Sequence, residues 1–392
     1  MKLKRASDDL TTQFQVAPGF QRFDQKNDIF SRAQWDDKID PKDFFKSYDI
    51  ANYAPKKSKG FDHWDYALRN ASWHLTDAIS ERKLDTDGEV EGFTSMYTLQ
   101  TAGPEHPIAI EDRETTTRKI KAVAKLFGAG MVGITKLDER WLYASTFNRR
   151  DETSKPLTWP KHLRTVIVLV LPMDYDLGKT FPAAVSGTTT GLGYSSSLVC
   201  ATSLAQFITN LGYDAHASLN DTAQSIPLAI MAGLGEYGRH GLLITPKYGP
   251  NVRLAKVFTD LPLVHDSPIR FGVKEFCDIC NRCSEGCPSK AIPKGEPQEE
   301  PPNISSHKGI RKWTVDAEKC FKFWVGMNTD CAICIRVCPY NKNYSKWWNR
   351  IGIKLAGGPF RGIMLKLHRW LGFEKRLTPQ SWWSQKIESE SG

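Results

Sequence analysis

Cys277-Asp-Ile-Cys280-Asn-Arg-Cys283-Ser-Glu-Gly-Cys287-Pro288 is the stretch on which the reading of this 392-residue chain turns. Its cysteines fall at gaps of two, two and three residues, and a proline follows the last. A second run, Cys331-Ala-Ile-Cys334-Ile-Arg-Val-Cys338-Pro339, repeats the pattern with Cys320 upstream, as though the first gap had been stretched. Of the nine cysteines only Cys200 lies outside this region. Disulfide scaffolds are usually small and spread their cysteines over the whole chain, so eight packed between Cys277 and Cys338 point to metal.

The spacing C-x₂-C-x₂-C-x₃-C-P is that of bacterial ferredoxins. Three thiolates two residues apart wrap one face of a cubane, while the fourth, followed by proline, leads away and reaches the other cluster. Two [4Fe–4S] clusters are therefore expected, one held by Cys277, Cys280, Cys283 and Cys338, the other by Cys320, Cys331, Cys334 and Cys287. Structural zinc sites also use C-x₂-C pairs, but they rarely add a third cysteine two residues on and a C-P after three more. Clusters of this kind move single electrons, so the rest of the chain must supply the acceptor.

Apolar residues at 40% and charged residues at 25% are ordinary globular values and exclude global disorder. No apolar run approaches the ~20 residues of a membrane-spanning helix. The start, Met1-Lys2-Leu3-Lys4-Arg5, leads into polar residues with no apolar core of an export signal. The formal charge of +9 invites a nucleic-acid reading. Two cubanes at about −2 each lower it to roughly +5, and no nucleic-acid-binding motif accompanies it. A solvated basic surface is the better reading.

Residues 1–110 read as a polar N-terminal wrapping region. A helix is expected over Thr116–Phe127, with Glu111 and Asp112 at its N-terminus. Gly128-Ala-Gly130-Met-Val-Gly133 spells the dinucleotide fingerprint, but in the order helix, turn, strand, which would aim a helix C-terminus at phosphate. Dinucleotide binding is rejected. Val166–Leu171 reads as a buried strand ended by Pro172, Ser195–Leu211 as a long helix, Ile226–Leu234 as another, and Leu254–Phe258 as a strand. The glycines of 233–241 read as tight turns, and Cys200 as a buried thiol.

These features together resemble the reductive dehalogenases, the corrinoid- and iron–sulfur-dependent enzymes of organohalide respiration. The matching residues are Gly193-Tyr194-Ser195, Asn220-Asp221-Thr222-Ala223, the stretch from Ala232 through Arg239 and Gly241 to Pro246, Tyr248-Gly249-Pro250 with Arg253, Thr259-Asp260-Leu-Pro262, and the paired cysteine runs. The resemblance covers roughly residues 111–345. It implies an α+β fold: a nitroreductase-like corrinoid-binding core over 111–268, a ferredoxin-like segment over 269–345 and an aromatic, basic tail over 346–392. It also implies a cobamide near the clusters, base-off and without a histidine ligand. Asp214-Ala-His216-Ala-Ser-Leu219 approaches the cobalamin-ligating motif D-x-H-x-x-G but lacks its glycine, so His216 is expected in a loop.

The resemblance further implies Tyr194, Asn220 and Arg253 as the catalytic group, and Asn220, Thr222, Gly241, Leu242, Thr245 and Tyr248 as corrinoid contacts. A phenol can protonate the carbon left by two-electron C–Cl cleavage, a guanidinium can stabilise the phenolate, and the amide can orient the phenol or hold halide. Read without the resemblance, the same three would be a core tyrosine, a helix N-cap and a surface ion-pair partner. The implied substrate is a small chlorinated alkane such as chloroform or trichloroethane. A respiratory electron donor, a small membrane-anchor protein, a possible homodimer and no nucleic acid complete the expected partners. The expected location is the outer face of the cytoplasmic membrane, peripheral, after export by a twin-arginine signal preceding residue 1.

The main rival is an epoxyqueuosine-reductase-like tRNA-modifying enzyme, which shares the cobamide and two cubanes; a two-cluster electron carrier would leave some 300 residues unused. In the tail, Phe360, Ile363, Met364, Leu367 and Leu371 share one helical face, and Arg361, Lys366 and Arg369 lie opposite. Trp347, Trp348, Trp370, Trp382 and Trp383 flank it. Packing of that face on the core is the default expectation, and docking at a membrane interface the sharper one.

Overall fold

Six consecutive aliphatic residues, Val166 to Leu171, alternate between the two faces of an extended chain, so such a strand is at home only where both faces are covered. The computed structural model describes residues 4–5, 15–41, 45–49, 51–87, 92–93 and 103–390. Its core is built from α1 (His63–Asp87), β1 (Gly92–Phe93), α2 (Arg113–Leu126), β2 (Met131–Lys136), β3 (Thr165–Pro172), α3 (Ala184–Thr209), β4 (Ala215–Ser218), α4 (Ser225–Met231) and β5 (Val252–Thr259). The sheet order is β1-β4-β5-β3-β2, with every neighbouring pair antiparallel. Ile167, Leu169 and Leu171 meet Ile120 and Ala124 of α2 and Leu198, Ala201 and Leu204 of α3. Val166, Val168 and Val170 face the other way, onto Trp141, Leu228, Ala229 and Ile230. Each buried aliphatic side chain contributes ~1.5–3 kcal/mol, and the division of one run between two cores fixes the register.

Helix α2 begins at Arg113, slightly ahead of the expected Thr116, because Asp112 caps it by accepting from the amides of Glu114 and Thr115 at 3.0 and 3.1 Å. Gly128 then turns at φ +108° into β2, so the glycine fingerprint does lie between a helix end and a strand. Helix α3 begins at Ala184 rather than Ser195. Gly187, Gly191 and Gly193 disfavour a helix in isolation. Tertiary contact reverses the preference: a Cβ on Gly191 would lie 2.0 Å from Ser72 Oγ and 2.6 Å from Trp73 Cδ1 of α1. The N-terminal region therefore supplies a long helix that packs against α3, and β1 joins the sheet.

His216 is not in a loop. It lies in β4, buried, beside the rings of Trp159 and Phe258 and hydrogen-bonded through Nε2 to Thr222 Oγ1 at 3.3 Å. Both faces of this strand are covered, and two aromatic neighbours accept its ring.

Beyond the sheet come α5 (Val273–Ile279), α6 (Arg282–Gly286), α7 (Ala317–Met327) and α8 (Ile333–Arg336), which carry or adjoin the cysteines. The tail forms α9 (Trp347–Ala356), α10 (Arg361–Trp370) and α11 (Pro379–Glu390). It departs from the default expectation. Phe360, Ile363, Leu367 and Leu371 are exposed, and α9 and α10 pack inward instead through Ile353, Ala356, Met364 and Leu365. Trp382 and Trp383 fold back toward α1, where Trp383 Nε1 donates to Asp65 Oδ1 at 3.0 Å. Among the described residues no helix is long and apolar enough to cross a membrane.

Gly191→Ala should lower stability by about 1–3 kcal/mol, the usual cost of overpacking, because the Trp73 ring cannot retreat as a flexible chain end would. Gly362→Ala, where a Cβ meets nothing within 4 Å, should be near neutral. Thermal midpoints of the two variants against the parent check this.

Candidate active site and cysteine sets

Three neighbouring elements bring the sequence-predicted residues together. Tyr194 lies within α3, Asn220 follows β4, and Arg253 is near the start of β5. The Asn220 side-chain amide donates to the Tyr194 hydroxyl in a short contact. The Arg253 guanidinium lies over the Tyr194 ring, 3.9 Å from its centroid. Gly193 makes this possible, since a Cβ there would stand 2.5 Å from Arg253 Cγ. A cation over a phenol ring contributes ~0.5–2 kcal/mol and favours negative charge on its oxygen. Tyr194 is half-buried and Asn220 exposed, so the phenol is within reach of a ligand.

Residues that the sequence reading missed complete the group. Trp73 of α1 packs against Tyr194, with ring centroids 4.5 Å apart and planes tilted by 32°. Tyr48 meets Trp73 edge-on at 6.4 Å, and the Arg69 guanidinium lies 4.0 Å from the Tyr48 centroid. Asp330 is buried, and burial pushes its carboxyl up to about 6 against the opposing charges of Arg69 and Arg253. The available signal was the small-residue face of Gly187 and Gly191, which needs large partners, together with Arg69 and Trp73 one helical turn apart on α1.

The loop that presents Asn220 is held from several sides. The buried Lys256 ammonium donates to the Leu219 carbonyl and, at 2.8 Å, to Ser225 Oγ. Ser218 Oγ donates to the Asp221 carbonyl at 2.7 Å, the Tyr143 hydroxyl to the Asn220 carbonyl at 3.1 Å, and Gln25 Nε2 to Asp221 Oδ1 at 2.7 Å. Thr222 takes φ +70°, an uncommon conformation for a β-branched residue, so this turn is imposed by its surroundings.

The remaining predicted contact residues fall elsewhere. Thr245 is buried and spends its hydroxyl on the turn, donating to the Gly249 carbonyl at 3.1 Å and accepting from the Tyr248 amide at 3.0 Å. Tyr248 packs partly into the Trp141 core, and a Cβ on Gly130 would strike its hydroxyl at 2.7 Å. Gly241 turns at φ +80° beside half-buried Leu242. Several buried polar atoms have no hydrogen-bond partner among the described residues: Trp73 Nε1, Thr188 Oγ1, Thr189 Oγ1, Asp330 Oδ2, His240 Nε2 and Asn341 Oδ1. Each costs about 1–3 kcal/mol if left so.

The glycine-rich loop delivers Arg239 to the cysteine segment. Its buried guanidinium donates to the carbonyls of Cys277 at 2.7 Å, Cys280 at 3.1 Å, Lys294 at 2.9 Å and Gly295 at 2.8 Å. It also lies 4.5 Å from the Trp313 ring centroid. The cysteines fall into two electrostatic neighbourhoods. Burial, then the charges of Cys277, Cys283 and Cys280, push the Cys338 thiol well up. Burial, then Cys331 and Cys287, push Cys320 up to about 12, and the same burial with Cys287 pushes Cys331 up to about 11. Cys334 feels Cys331, Cys320 and Cys287, and also Cys283 across the divide. Four thiolates gathered in such surroundings need a bound cation to exist as thiolates. Among the described residues no three His, Cys, Asp or Glu side chains converge on a single-ion centre; cubane thiolates bind separate irons and stand apart. Cys200 is buried far from both sets, its thiol pushed up to about 11 by burial.

Residues 276–341 match the sequence model of the 4Fe-4S double cluster binding domain. Over 320 residues the chain is 36% identical to a tetrachloroethene reductive dehalogenase of Dehalobacter restrictus, covering 71% of this chain and 57% of that protein. The chain belongs to the reductive dehalogenase family. It spans 57% of that relative's length. A solved catabolic reductive dehalogenase shares the fold, with TM-score 0.77 at 24% identity over 97% of this chain and 50% of the other. An epoxyqueuosine reductase of Cyclobacterium marinum matches less of it, 28% identical over 173 residues and 38% of the chain.

Arg239→Met should leave the buried Cys280 carbonyl without a donor and weaken the hold on the Cys277 and Lys294 carbonyls, a loss of about 1–3 kcal/mol. Iron content and the cluster signal should both fall. Iron analysis and low-temperature EPR of the anaerobic protein would show it.

Proposed function

We propose that this chain removes chlorine from small chlorinated aliphatic compounds by two-electron reduction, R–Cl + 2e⁻ + H⁺ → R–H + Cl⁻. The observation that carries the reading is the Tyr194 hydroxyl held by the Asn220 amide, with the Arg253 guanidinium over its ring, in a chain that also gathers eight cysteines into two sets. Cys277, Cys280, Cys283 and Cys338 would hold one [4Fe–4S] cluster; Cys287, Cys320, Cys331 and Cys334 the other.

A cobamide fits the unsatisfied polar atoms of Trp73, Thr188, Thr189, His240 and Asn341, because its rim carries amide donors and acceptors. Asn220, Thr222, Gly241, Leu242, Thr245 and Tyr248 are proposed to border it in a nitroreductase-like core. When bound it supplies a strongly reducing, nucleophilic cobalt centre. His216 is committed to Thr222, Trp159 and Phe258, so it would not be available as a cobalt ligand, in keeping with the proposed base-off cobamide.

Tyr194 holds the proton at its hydroxyl and gives it to the carbon from which chloride leaves. Arg253 stabilises the oxyanion left on the ring. Asn220 fixes the direction of the hydroxyl, and Trp73 covers one face of the phenol and excludes water. Asp330 adjoins Cys331 in sequence and feels Arg69 and Arg253, which links one cysteine set to the site. A respiratory electron donor, a small membrane anchor and a homodimer belong to the same reading, with the protein peripheral on the outer face of the cytoplasmic membrane.

Tyr194→Phe should keep iron and cobalt content yet lose at least ~10²-fold in turnover of chloroform or trichloroethane, the usual scale for a positioned general acid. Arg253→Leu should lose turnover too, and the double variant little more than the worse single one. Near-normal turnover by Tyr194→Phe would sink the proton-donor role. Activity on epoxyqueuosine-containing tRNA instead of chlorinated compounds would sink the substrate class. Cys283→Ser and Cys338→Ser should damage the same cluster; loss of spectroscopically different clusters would overturn the sets.

A further inference from the structure

The helical hairpin α9–α10 presents an apolar face outward. Trp347, Ile351 and Leu355 follow each other at one-turn spacing on α9 and are 65%, 45% and 38% exposed. On α10, Ile363, Leu367 and Trp370 continue the stripe at 63%, 39% and 81% exposure. The hairpin is already anchored to the protein through its other side, by Ile353, Ala356, Met364 and Leu365, so this face is not needed for folding. Monomeric proteins rarely leave a contiguous patch of large apolar side chains in water, and such a patch marks a binding surface.

The charges identify the occupant. No Asp or Glu lies between Asp330 and Glu374, while Lys346, Arg350, Lys354, Arg361, Lys366 and Arg369 fall within the hairpin. A protein partner reading so long a basic stretch would need a matching acidic surface, and a second copy of this hairpin would repel its twin. Exposed tryptophans beside a one-signed basic rim suit the boundary between anionic headgroups and acyl chains, where the indole is half wet and lysine reaches the phosphates. Lys346 lies over the Trp348 ring at 5.7 Å, an arrangement that keeps both near one plane.

We propose that α9–α10 is a lipid-docking surface that lies in the headgroup region of an anionic bilayer. It does not depend on the dehalogenase activity. The full-length protein with its clusters intact should co-sediment with vesicles containing about 30% phosphatidylglycerol and much less with pure phosphatidylcholine. Tryptophan emission should shift to the blue on binding, and added salt should weaken it. Lys354→Glu/Lys366→Glu should weaken anionic-vesicle binding at least roughly tenfold, since each basic residue near such a surface is worth about a fivefold factor. Ile363→Ser/Trp370→Ser should remove the blue shift while iron content and circular dichroism remain those of the parent. Equal binding by parent and both variants would overturn the proposal. So would a folded parent that ignores vesicles, or one whose sedimentation shows a dimer that the Ile363→Ser/Trp370→Ser variant dissolves.

Discussion

How closely other elements can approach helix α3 governs the site. Tyr194 is useful only with Arg253 over its ring and Trp73 against it, and both must pass positions where an ordinary side chain would stand. Gly193 and Gly191 remove those side chains. The helix gives up intrinsic stability, ~1 kcal/mol for each glycine relative to alanine, and recovers it through contact with α1 and β5. Gly187 extends the same face, since a Cβ there would meet Arg69 Cδ at 2.8 Å and Asp330 Oδ2 at 3.2 Å. Glycines on two faces of α3 thus set the close approaches, Gly187 and Gly191 toward Arg69 and Trp73 of α1 and Gly193 toward Arg253 of β5.

The phenol's partners differ in kind, and that difference bears on its chemistry. The amide of Asn220 fixes direction, whereas Arg253 acts through charge over the ring. Asn220 would wander if its loop did, and the loop is tied by a buried ammonium, a serine, a tyrosine and a glutamine from separate parts of the chain. A buried lysine with two oxygen partners is costly to desolvate. Its place one strand from the phenol ties the geometry of the site to the sheet rather than to a mobile loop.

What was legible in the sequence follows the range of the interaction. The cysteine segment could be read because ligation imposes fixed local gaps, and residues 276–341 match the double-cluster domain model. The strand Val166–Leu171 could be read because its pattern is local. The start of α3 could not, because glycines and threonines speak against a helix until α1 is in place. Trp73, Arg69 and Asp330 were missed for the same reason: each lies far from Tyr194 in the chain, and no motif links them. His216 was misplaced because alternation over a four-residue strand is too short to distinguish from a loop. Tyr194, Asn220 and Arg253 were named through resemblance alone, and only the folded chain shows the amide at the hydroxyl and the guanidinium over the ring.

The tail connects these arguments. Its inner face packs in the same cluster of side chains as Cys277, Cys280 and Cys338, while its outer face carries Trp347 and Trp370. Cys283 of that set lies near enough to Cys334 of the other to shift its titration, and Asp330, next to Cys331, feels Arg253. The exposed hairpin therefore shares one packed cluster with the first cysteine set. Electron tunnelling needs short steps between centres, and a donor confined to a bilayer can come no closer than the surface the protein rests on. Resting on α9–α10 would bring the first cysteine set toward that donor.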